Sequence, residues 1–283
     1  MNKSPESFAQ VGKLVDIDFE GLRFSIELQA GIDRYISVDI ERDKVWEPFE
    51  TRVFKALCRS SSTVIDIGAN IGWYSLVASS CVGPDGLILA LEPEPHNFSL
   101  LRRNLARNRV GNVIARQVAV TDKTGSGSLF LSRENMGDHR LIDGGESRSA
   151  TPVELVRLDD LIQTMGRSPT LVKSDTQGSE WNIVQGVGPG SLDPKLCCWL
   201  VEFWPHGLAG MNAEPSGLLD WFFSRGYRFY ELSEANPRLV ETNPEKLLHR
   251  ANTDLSKESL GFINLLLIHP ADSRIAEISK FIN

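Results

Sequence analysis

Acidic residues stand at the ends of two consecutive predicted strands, where their carboxylates can bind a ligand. Asp66 lies in the β-branched run TVIDIG at 63–68, and Glu92 closes the apolar run LILALE at 87–92. The carboxyl ends of parallel strands form the ligand-binding edge of a doubly wound sheet. A carboxylate suits an ammonium group, and it can also accept hydrogen bonds from both hydroxyls of a ribose. The pair therefore predicts a ligand that combines a nucleoside with an amino-acid tail.

The segment DIGANIG, which begins at Asp66, supplies the turn that such a ligand needs. Its two glycines allow a tight turn and a close approach of the ligand to the backbone. A dinucleotide-binding loop would read GxGxxG, and this spacing is missing. The pattern DxGxxxG instead favours S-adenosylmethionine, and the alternative is a glycine turn with a helix cap. The predicted cofactor-binding residues are Asp66, Gly68, Asn70, Gly72, Glu92, Val118 and Ala119, the last two near the end of a third strand.

Three groups at later strand ends, or just beyond them, are candidates for a catalytic base. Asp175 ends the run TLVKSD, Glu202 lies near the end of LCCWLVEF, and His206 follows in WPHGL. An imidazole titrates near neutral pH, whereas Asp175 has the more central position in the sheet. Each has a structural alternative. Asp175 can cap a helix beside a Lys173 ion pair, Glu202 can be a paired buried acid, and His206 can be an ordinary loop residue.

A polar insertion after the third strand carries two candidate acceptor-binding residues. It covers about 122–151 and contains SGSLFLS, a predicted β-ribbon. His139 and Arg140, in the segment NMGDHRL, are predicted to hold a polar or anionic substrate, and the alternative is a solvated loop. Trp46 and Glu47, much earlier in the chain, either help to cover the cofactor or pack in the core.

Strands and helices alternate from residue 63 onwards, which predicts an α/β fold with a doubly wound parallel sheet. The last two strands, 227–232 and 261–268, predict a hairpin at one sheet edge. Asn97 is the predicted cap of the second helix, and His96 beside it either caps that helix or touches an adenine edge. The strands are predicted at 63–68, 87–92, 112–120, 170–175, 196–203, 227–232 and 261–268, and the helices at 71–79, 96–108, 180–187 and 217–226.

The first 60 residues lack this alternation and are predicted to form a β-rich extension with a lead-in helix. Strand-like alternation covers 14–28, and a further strand is predicted at 35–40. Apolar residues at helical spacing predict a helix over 48–57. We expect residues 61–283 to form the main domain, which contains the polar insertion.

Composition and charge exclude several classes of protein. Among 283 residues, 30 Lys and Arg stand against 37 Asp and Glu, which gives a net charge of −7. This balance argues against a nucleic-acid-binding protein, which usually has a basic face. The longest apolar run, 262–268, is far shorter than the about 20 residues that span a bilayer. The N-terminal residues contain no apolar run typical of a signal peptide, so we expect a cytoplasmic protein without a membrane span.

The four cysteines predict neither a metal site nor a disulfide framework. Cys58 and Cys81 are isolated, and Cys197 and Cys198 are adjacent in an apolar run. No CxxC or Cys/His spacing typical of zinc ligands occurs. We therefore expect four buried thiols and no metal site.

Several motifs in order resemble the FkbM family of S-adenosylmethionine-dependent methyltransferases. They are VIDIGANIGWYS, LALEPEPHNFSLLRRNLARN, QVAVTDKTG, VRLDDLI and LVKSDTQGSEWNIVQGV, within about residues 45–205. The resemblance implies a seven-stranded class I methyltransferase fold, which is Rossmann-like, and O-methylation of a sugar or natural-product hydroxyl. The family motif Lys-x-Asp-x-Glu-Gly-x-Glu is present here as Lys173, Asp175, Gln177, Gly178 and Glu180, with an amide in place of the first acid.

The leading hypothesis is therefore an O-methyltransferase for a small polyhydroxylated acceptor such as a sugar, a glycan or a natural product. One alternative is a non-catalytic protein that binds the nucleoside cofactor on the same fold. A nicotinamide-dependent dehydrogenase is a third hypothesis, which the missing GxGxxG disfavours. We predict methyl transfer without a metal ion. The sequence leaves open the acceptor and whether the chain forms a homo-oligomer.

Overall fold

The computed structural model describes most of the chain, namely residues 12–29, 31–132, 135–143, 148–256 and 259–282. The N-terminal residues on which the absence of a signal peptide was predicted, and parts of the insertion, lie outside the described residues. The strands are β1 (Lys13–Phe19), β2 (Leu22–Leu28), β3 (Thr63–Ile67), β4 (Leu87–Leu91), β5 (Val113–Arg116), β6 (Ala119–Thr121), β7 (Gly125–Leu131), β8 (Ser149–Arg157), β9 (Leu171–Ser174), β10 (Cys198–Phe203), β11 (Arg228–Leu232), β12 (Val240–Thr242) and β13 (Ile263–Ile268). The helices are α1 (Ile36–Asp43), α2 (Pro48–Leu57), α3 (Trp73–Val82), α4 (Pro95–Arg107), α5 (Leu158–Met165), α6 (Glu180–Gln185), α7 (Pro205–Gly210), α8 (Pro215–Phe223), α9 (Pro244–Ala251) and α10 (Ile275–Ile278).

The main sheet confirms the predicted α/β, doubly wound, Rossmann-like class. Its strand order is β12-β11-β13-β10-β9-β3-β4-β5, with β3, β4, β5, β9 and β10 parallel. The sheet has eight strands where seven were predicted, because the short strand β12 adds to the edge of β11. The strand order reverses between β3 and β9, and this is where an open α/β sheet binds its ligand.

The last two predicted strands, β11 and β13, pair antiparallel as predicted, but β12 lies outside them, so this hairpin is not the edge of the sheet. Strand β13 lies antiparallel between β10 and β11, and β12 is the outermost strand. The long connection between β11 and β13 contains β12 and α9. Burial explains the position of β13, because its run INLLLI is almost wholly buried and needs a neighbour on both sides.

The predicted third strand at 112–120 is divided between two sheets. Strand β5 pairs with β4 in the main sheet, whereas β6 pairs in parallel with β8. Strand β7 pairs antiparallel with β8, so the insertion forms a separate three-stranded sheet. The predicted ribbon is confirmed in β7, and its partner β8 was not predicted.

The strand-like segment predicted at 14–28 forms β1 and β2, an antiparallel hairpin that packs against α3 and α4. The strand predicted at 35–40 is wrong, because most of this segment is the helix α1. Asp33 explains the difference, since its carboxylate accepts hydrogen bonds from the backbone N–H groups of Tyr35 (3.2 Å) and Ser37 (2.5 Å). A carboxylate that satisfies the free N–H groups of a first turn favours a helix start.

Helix α4 has a different cap from the one predicted. The cap is Glu94, and its side chain accepts a hydrogen bond from the N–H of Asn97 at 2.6 Å. The amide of Asn97 is thereby free for another role, which is described below. Helix α2 has the predicted bounds and lies with its buried residues in the core on one face of the main sheet.

The thiols agree only in part with the expectation that all four are buried. The thiols of Cys58, Cys197 and Cys198 are buried, whereas Cys81 is only partly buried, contrary to the prediction; none forms a disulfide. In the described part of the chain, no helix has both the length and the apolar character that crossing a bilayer would need.

Candidate active site

A cleft opens where β3, β4 and β9 end at the carboxyl edge of the main sheet. Its wall includes these three strand ends, the start of β6 and the insertion segment that follows β7. The predicted residues that line it are Gly68, Asn70, Glu92, Val118, Ala119, His139 and Asp175. The sequence-based search missed other lining residues, among them Pro93, Asn97, Met136 and Ser179.

Gly68 lets the ends of β3 and β9 approach each other closely. Its φ is +82°, and a Cβ at this position would lie 2.0 Å from the carbonyl oxygen of Asp175. No side chain fits there, so the glycine is required for the backbone itself. Asn70 follows with φ +49°, a left-handed conformation that is uncommon outside glycine. Its backbone N–H points to Glu92, and its side-chain amide donates to the carbonyl of Met136 at 3.0 Å.

Glu92 is almost completely buried beside this loop, with 4% of its surface exposed. Its two carboxylate oxygens accept backbone hydrogen bonds from Asn70 (2.8 Å) and Glu94 (2.9 Å). Burial raises the pKa of Glu92 to about 8, although the two N–H groups oppose this shift. Each carboxylate oxygen has a further lone pair, so the fixed carboxylate can still accept hydrogen bonds from the two hydroxyls of a ribose.

Two predicted cofactor-binding residues lie behind the cleft instead of in its wall. Asp66 is buried in β3 and accepts a hydrogen bond from the hydroxyl of Ser75 on α3, at 2.7 Å; burial raises its pKa to about 6. Gly72 precedes α3 with φ +97°, and a Cβ there would lie 2.7 Å from Cδ1 of Leu101. Asp66 thereby joins β3 to α3, and Gly72 lets the start of α3 lie close to α4; direct contact of either residue with a cofactor stays a prediction.

Asp175 lies at the end of β9 with its side chain 31% exposed and lines the cleft. The ammonium group of Lys173 lies 3.3 Å from its Oδ2, and Gln177 donates to its Oδ1 at 3.0 Å. Lys173 is also 3.3 Å from Oε1 of Glu50 on α2. Burial opposes the charge of Lys173, but the carboxylates of Glu50 and Asp175 outweigh it and raise the pKa of Lys173 well above its ordinary value.

Gln177 joins the two candidate carboxyl groups. Its amide nitrogen donates to Asp175 and, at 3.1 Å, to Oε1 of Glu202. An acid at position 177 would add a negative charge here, whereas the amide has two N–H donors for two acceptors. Burial raises the pKa of Glu202 well above its ordinary value, and the nearby charges of Asp175 and Glu180 act in the same direction. Because this shift disfavours the charged form of Glu202, Asp175 is the better candidate of the two for the base.

Glu180 shapes the loop that presents Gln177. Its carboxylate accepts hydrogen bonds from the N–H (2.8 Å) and the hydroxyl (2.7 Å) of Thr176, and from the N–H of Gly178 (2.9 Å). The backbone of Gln177 is left-handed, with φ +56°. Such strained conformations persist where surrounding contacts determine them, and they cluster at functional sites.

The segment that builds this cleft is also the part of the chain that matches a known protein family. Residues 66–229 match the family model of the Methyltransferase FkbM domain. The match covers more than half of the 283 residues and includes the glycine loop, Glu92, Asp175 and Glu202. The chain belongs to the FkbM methyltransferase family. As a member of this family it is an S-adenosylmethionine-dependent methyltransferase.

Solved methyltransferase structures resemble this FkbM-family chain at low sequence identity. Methyltransferase FkbM from Methylobacillus flagellatus KT is 16% identical with a TM-score of 0.42, and the match covers 74% of this chain and 44% of that one. Precorrin-6y C5,15-methyltransferase from Geobacter metallireducens GS-15 is 15% identical with a TM-score of 0.43, over 79% and 88% of the two chains. The O-methyltransferase TomG from Streptomyces achromogenes is 13% identical with a TM-score of 0.43, over 83% and 87%. No curated protein matches this chain.

Two further acids, Glu50 on α2 and Glu47 just before this helix, add to the acidic site of this methyltransferase. Glu50 is buried, and it accepts a hydrogen bond from the amide of Asn264 at 2.6 Å besides its ion pair with Lys173. Glu47 has a left-handed backbone, φ +42°, and accepts a hydrogen bond from the hydroxyl of Tyr74 at 2.8 Å. Burial raises the pKa of Glu47 to about 8. Sequence reasoning missed Glu50, although an acid one position from the apolar stripe of α2 was a signal.

Arg140 and His206 lie outside the wall of the cleft and share a contact with Trp204. The guanidinium of Arg140 stacks over the ring of Trp204 at 4.5 Å and forms an ion pair with Asp138 at 2.6 Å. The ring of His206, on α7, lies edge-on to the same indole at 5.5 Å. The stacking joins the insertion to the loop after β10. An acceptor-binding role for Arg140 and a catalytic role for His206 stay predictions.

Proposed function

We propose that this FkbM-family protein is an O-methyltransferase that acts on a hydroxyl of a small polyhydroxylated acceptor, such as a sugar, a glycan or a natural product. The observation that carries the proposal is the shared cleft of Gly68, Glu92 and Asp175, which joins a nucleoside-binding carboxylate to a candidate base. The Gln177 amide that holds Asp175 and Glu202 together also supports a polar acceptor. Hydroxyl groups are suited to such a surface of carboxylates and amides.

The described residues fit S-adenosylmethionine in three respects. Glu92 has acceptor capacity for the ribose hydroxyls, Val118 and Ala119 give the cleft an apolar wall for a base, and Gly68 lets the ends of β3 and β9, which line the cleft, approach each other closely. When bound, S-adenosylmethionine supplies an electrophilic methyl group on its sulfonium. The protein would then mainly need to align the acceptor oxygen with that methyl group and exclude water.

Asp175 is the proposed acceptor of the hydroxyl proton. A sugar hydroxyl is too weakly acidic to ionise at neutral pH, so its proton must leave as the new bond forms. The base then lies within about 2.6–3.2 Å of the oxygen in the reactive complex. Lys173 and Gln177 fix the carboxylate of Asp175 for this task, and Glu202 accepts the second N–H of Gln177. His206 is the alternative base.

The experiment that tests this function follows a carbon-13 methyl group from S-adenosylmethionine into fractionated cell extract. We expect the purified protein to label a polyhydroxylated compound, with a methyl carbon shift typical of an ether. A shift typical of an N-methyl or C-methyl product would refute O-transfer. S-adenosylhomocysteine binding without transfer to any fraction would favour the non-catalytic alternative, and NAD binding in its place would favour a dehydrogenase.

The raised pKa of Glu92 predicts proton release when the cofactor binds. The free group, with a pKa of about 8, is largely protonated at pH 7, whereas ribose hydroxyls that donate to it stabilise its charged form. The affinity for S-adenosylhomocysteine should therefore rise with pH and level off above about pH 8. Calorimetry in buffers of different ionisation enthalpy should show the released proton. Glu92→Gln is the matched control that should release none, and a wild-type enzyme that binds without proton release would contradict the assignment.

We expect methyl transfer to proceed without a metal ion. Within the residues that the structure describes, no group of three or more His, Cys, Asp or Glu side chains has an arrangement that could hold one. Magnesium is bound by oxygen ligands, and Asp175 instead contacts the donor groups of Lys173 and Gln177. Treatment with EDTA should leave the labelling rate of the active fraction unchanged. Loss of activity that magnesium restores would overturn this expectation.

A further inference from the structure

The insertion forms a roof over the cofactor cleft. Two amides hold it there, because Asn70 and Asn97 both donate to the carbonyl of Met136, at 3.0 Å and 2.9 Å. Asn70 belongs to the glycine loop and Asn97 to the first turn of α4, so the roof is attached to two elements of the family domain. Side chains of this roof therefore face the cleft without a loop having to close over it.

His139 is the polar side chain that the roof adds to the cleft wall. Its Nδ1 accepts a hydrogen bond from the backbone N–H of Ser132 at 3.1 Å. A neutral imidazole that accepts at Nδ1 carries its proton on Nε2. This Nε2 is buried and has no hydrogen-bond partner among the residues that the structure describes. A buried donor without a partner is costly, which points to a ligand atom as its partner.

The charges around His139 are consistent with the neutral tautomer. Burial lowers the pKa of His139, and the positive charge of Arg148 acts in the same direction. The carboxylates of Glu94, Asp138 and Asp33 oppose this shift without reversing it. The imidazole is therefore neutral at pH 7 and carries a single N–H, on Nε2.

The surroundings of His139 identify the part of the ligand that it meets. The insertion also contributes apolar side chains to the cleft wall, from Leu129, Met136 and Leu141. Val118 adds another from the end of the main sheet. Such apolar walls suit the faces of a flat aromatic base, whose edge carries nitrogen acceptors. Glu92 fixes the ribose in the same cleft, so the attached base lies within its walls.

We propose that His139 donates a hydrogen bond from Nε2 to a ring nitrogen of adenine, and that the insertion is therefore part of the cofactor site. This inference rests on the proposed function, since it takes S-adenosylmethionine as the ligand. It replaces the acceptor-binding role that the sequence predicted for His139. It also assigns the adenine contact to His139 instead of His96, which is exposed on α4 and is not among the residues that line the cleft.

The test measures binding of S-adenosylhomocysteine by calorimetry at pH 7. His139→Phe keeps a flat ring but removes the donor, and we expect about a tenfold loss of affinity, which corresponds to one hydrogen bond. His96→Phe is the matched control and should bind like the wild type. Thermal unfolding with and without ligand shows whether each variant is folded.

Analogues that lack one ring nitrogen test the contact in the unchanged protein. One of the 1-deaza, 3-deaza and 7-deaza analogues of S-adenosylhomocysteine should bind the wild type about tenfold more weakly than the parent compound. The same analogue should bind wild type and His139→Phe equally, because the partner atom is already missing. The inference is overturned if all three analogues bind the wild type as the parent does, or if His139→Phe keeps wild-type affinity. A wild-type protein that does not bind S-adenosylhomocysteine would refute the proposed function and this inference together.

Discussion

Asp175→Asn should lower the turnover of the labelled acceptor by about 100-fold or more, which is the lower end of general-base effects. The substitution keeps the size of the side chain and removes its capacity to take a proton. Lys173 retains its ion pair with Glu50, so we expect the fold to survive. The measurement compares initial rates of methyl transfer into the fraction that the wild-type enzyme labels. The affinity for S-adenosylhomocysteine should change little, because the role is catalytic.

Two further variants separate Asp175 from the other candidate bases. Glu202→Gln should cost less, since burial already disfavours the charged form of Glu202. His206→Ala should also cost less, because the imidazole contacts Trp204 and does not line the cleft. If Asp175→Asn turned over at the wild-type rate while His206→Ala was inactive, the proton would belong to the histidine and the assignment would be wrong.

Glu92→Ala should weaken S-adenosylhomocysteine binding at least tenfold. The carboxylate is the proposed acceptor for both ribose hydroxyls, and each hydrogen bond to a charged group contributes about 1.5–3 kcal/mol. The substitution also leaves the N–H groups of Asn70 and Glu94 without their acceptor, which loosens the loop that faces the cofactor. Calorimetry of the folded variant gives the change in Kd.

Asp66→Asn tests the same role for the other predicted acid. It removes a buried acid from the neighbouring strand, whose carboxylate faces Ser75 on α3. If the hydrogen bond to Ser75 is its only role, the affinity for S-adenosylhomocysteine stays within about threefold of wild type, whereas the cofactor contact that the sequence predicts would make the affinity fall about tenfold or more. Unchanged affinity in folded Glu92→Ala would remove Glu92 from the cofactor site, and a large loss in Asp66→Asn would restore Asp66 to it.

The parts of the fold that sequence predicted are those encoded locally. The runs TVIDI, LILAL and CWLVEF are short, mostly apolar and almost wholly buried, which is the pattern of central parallel strands, and all three belong to the main sheet. The polar residues that end them were therefore placed at the correct edge. Most of the predicted cofactor-binding set lines one cleft for this reason.

The parts that sequence could not predict depend on contacts between distant segments. The alternation at 35–40 resembles a strand, but the side-chain hydrogen bonds of Asp33 favour a helix there. The pairing of Glu50 with Lys173 joins residues far apart in the chain, and no periodicity indicates it. The same holds for β13, since an apolar run does not show which two strands it will lie between.

The most direct test of the account is a crystal structure of the protein with S-adenosylhomocysteine bound. We predict that both ribose hydroxyls lie within about 3 Å of the carboxylate of Glu92, with the sulfur on the side of Asp175. Continuous density for the ligand anywhere other than the cleft at Gly68, Glu92 and Asp175, or an empty cleft at saturating ligand, would contradict it.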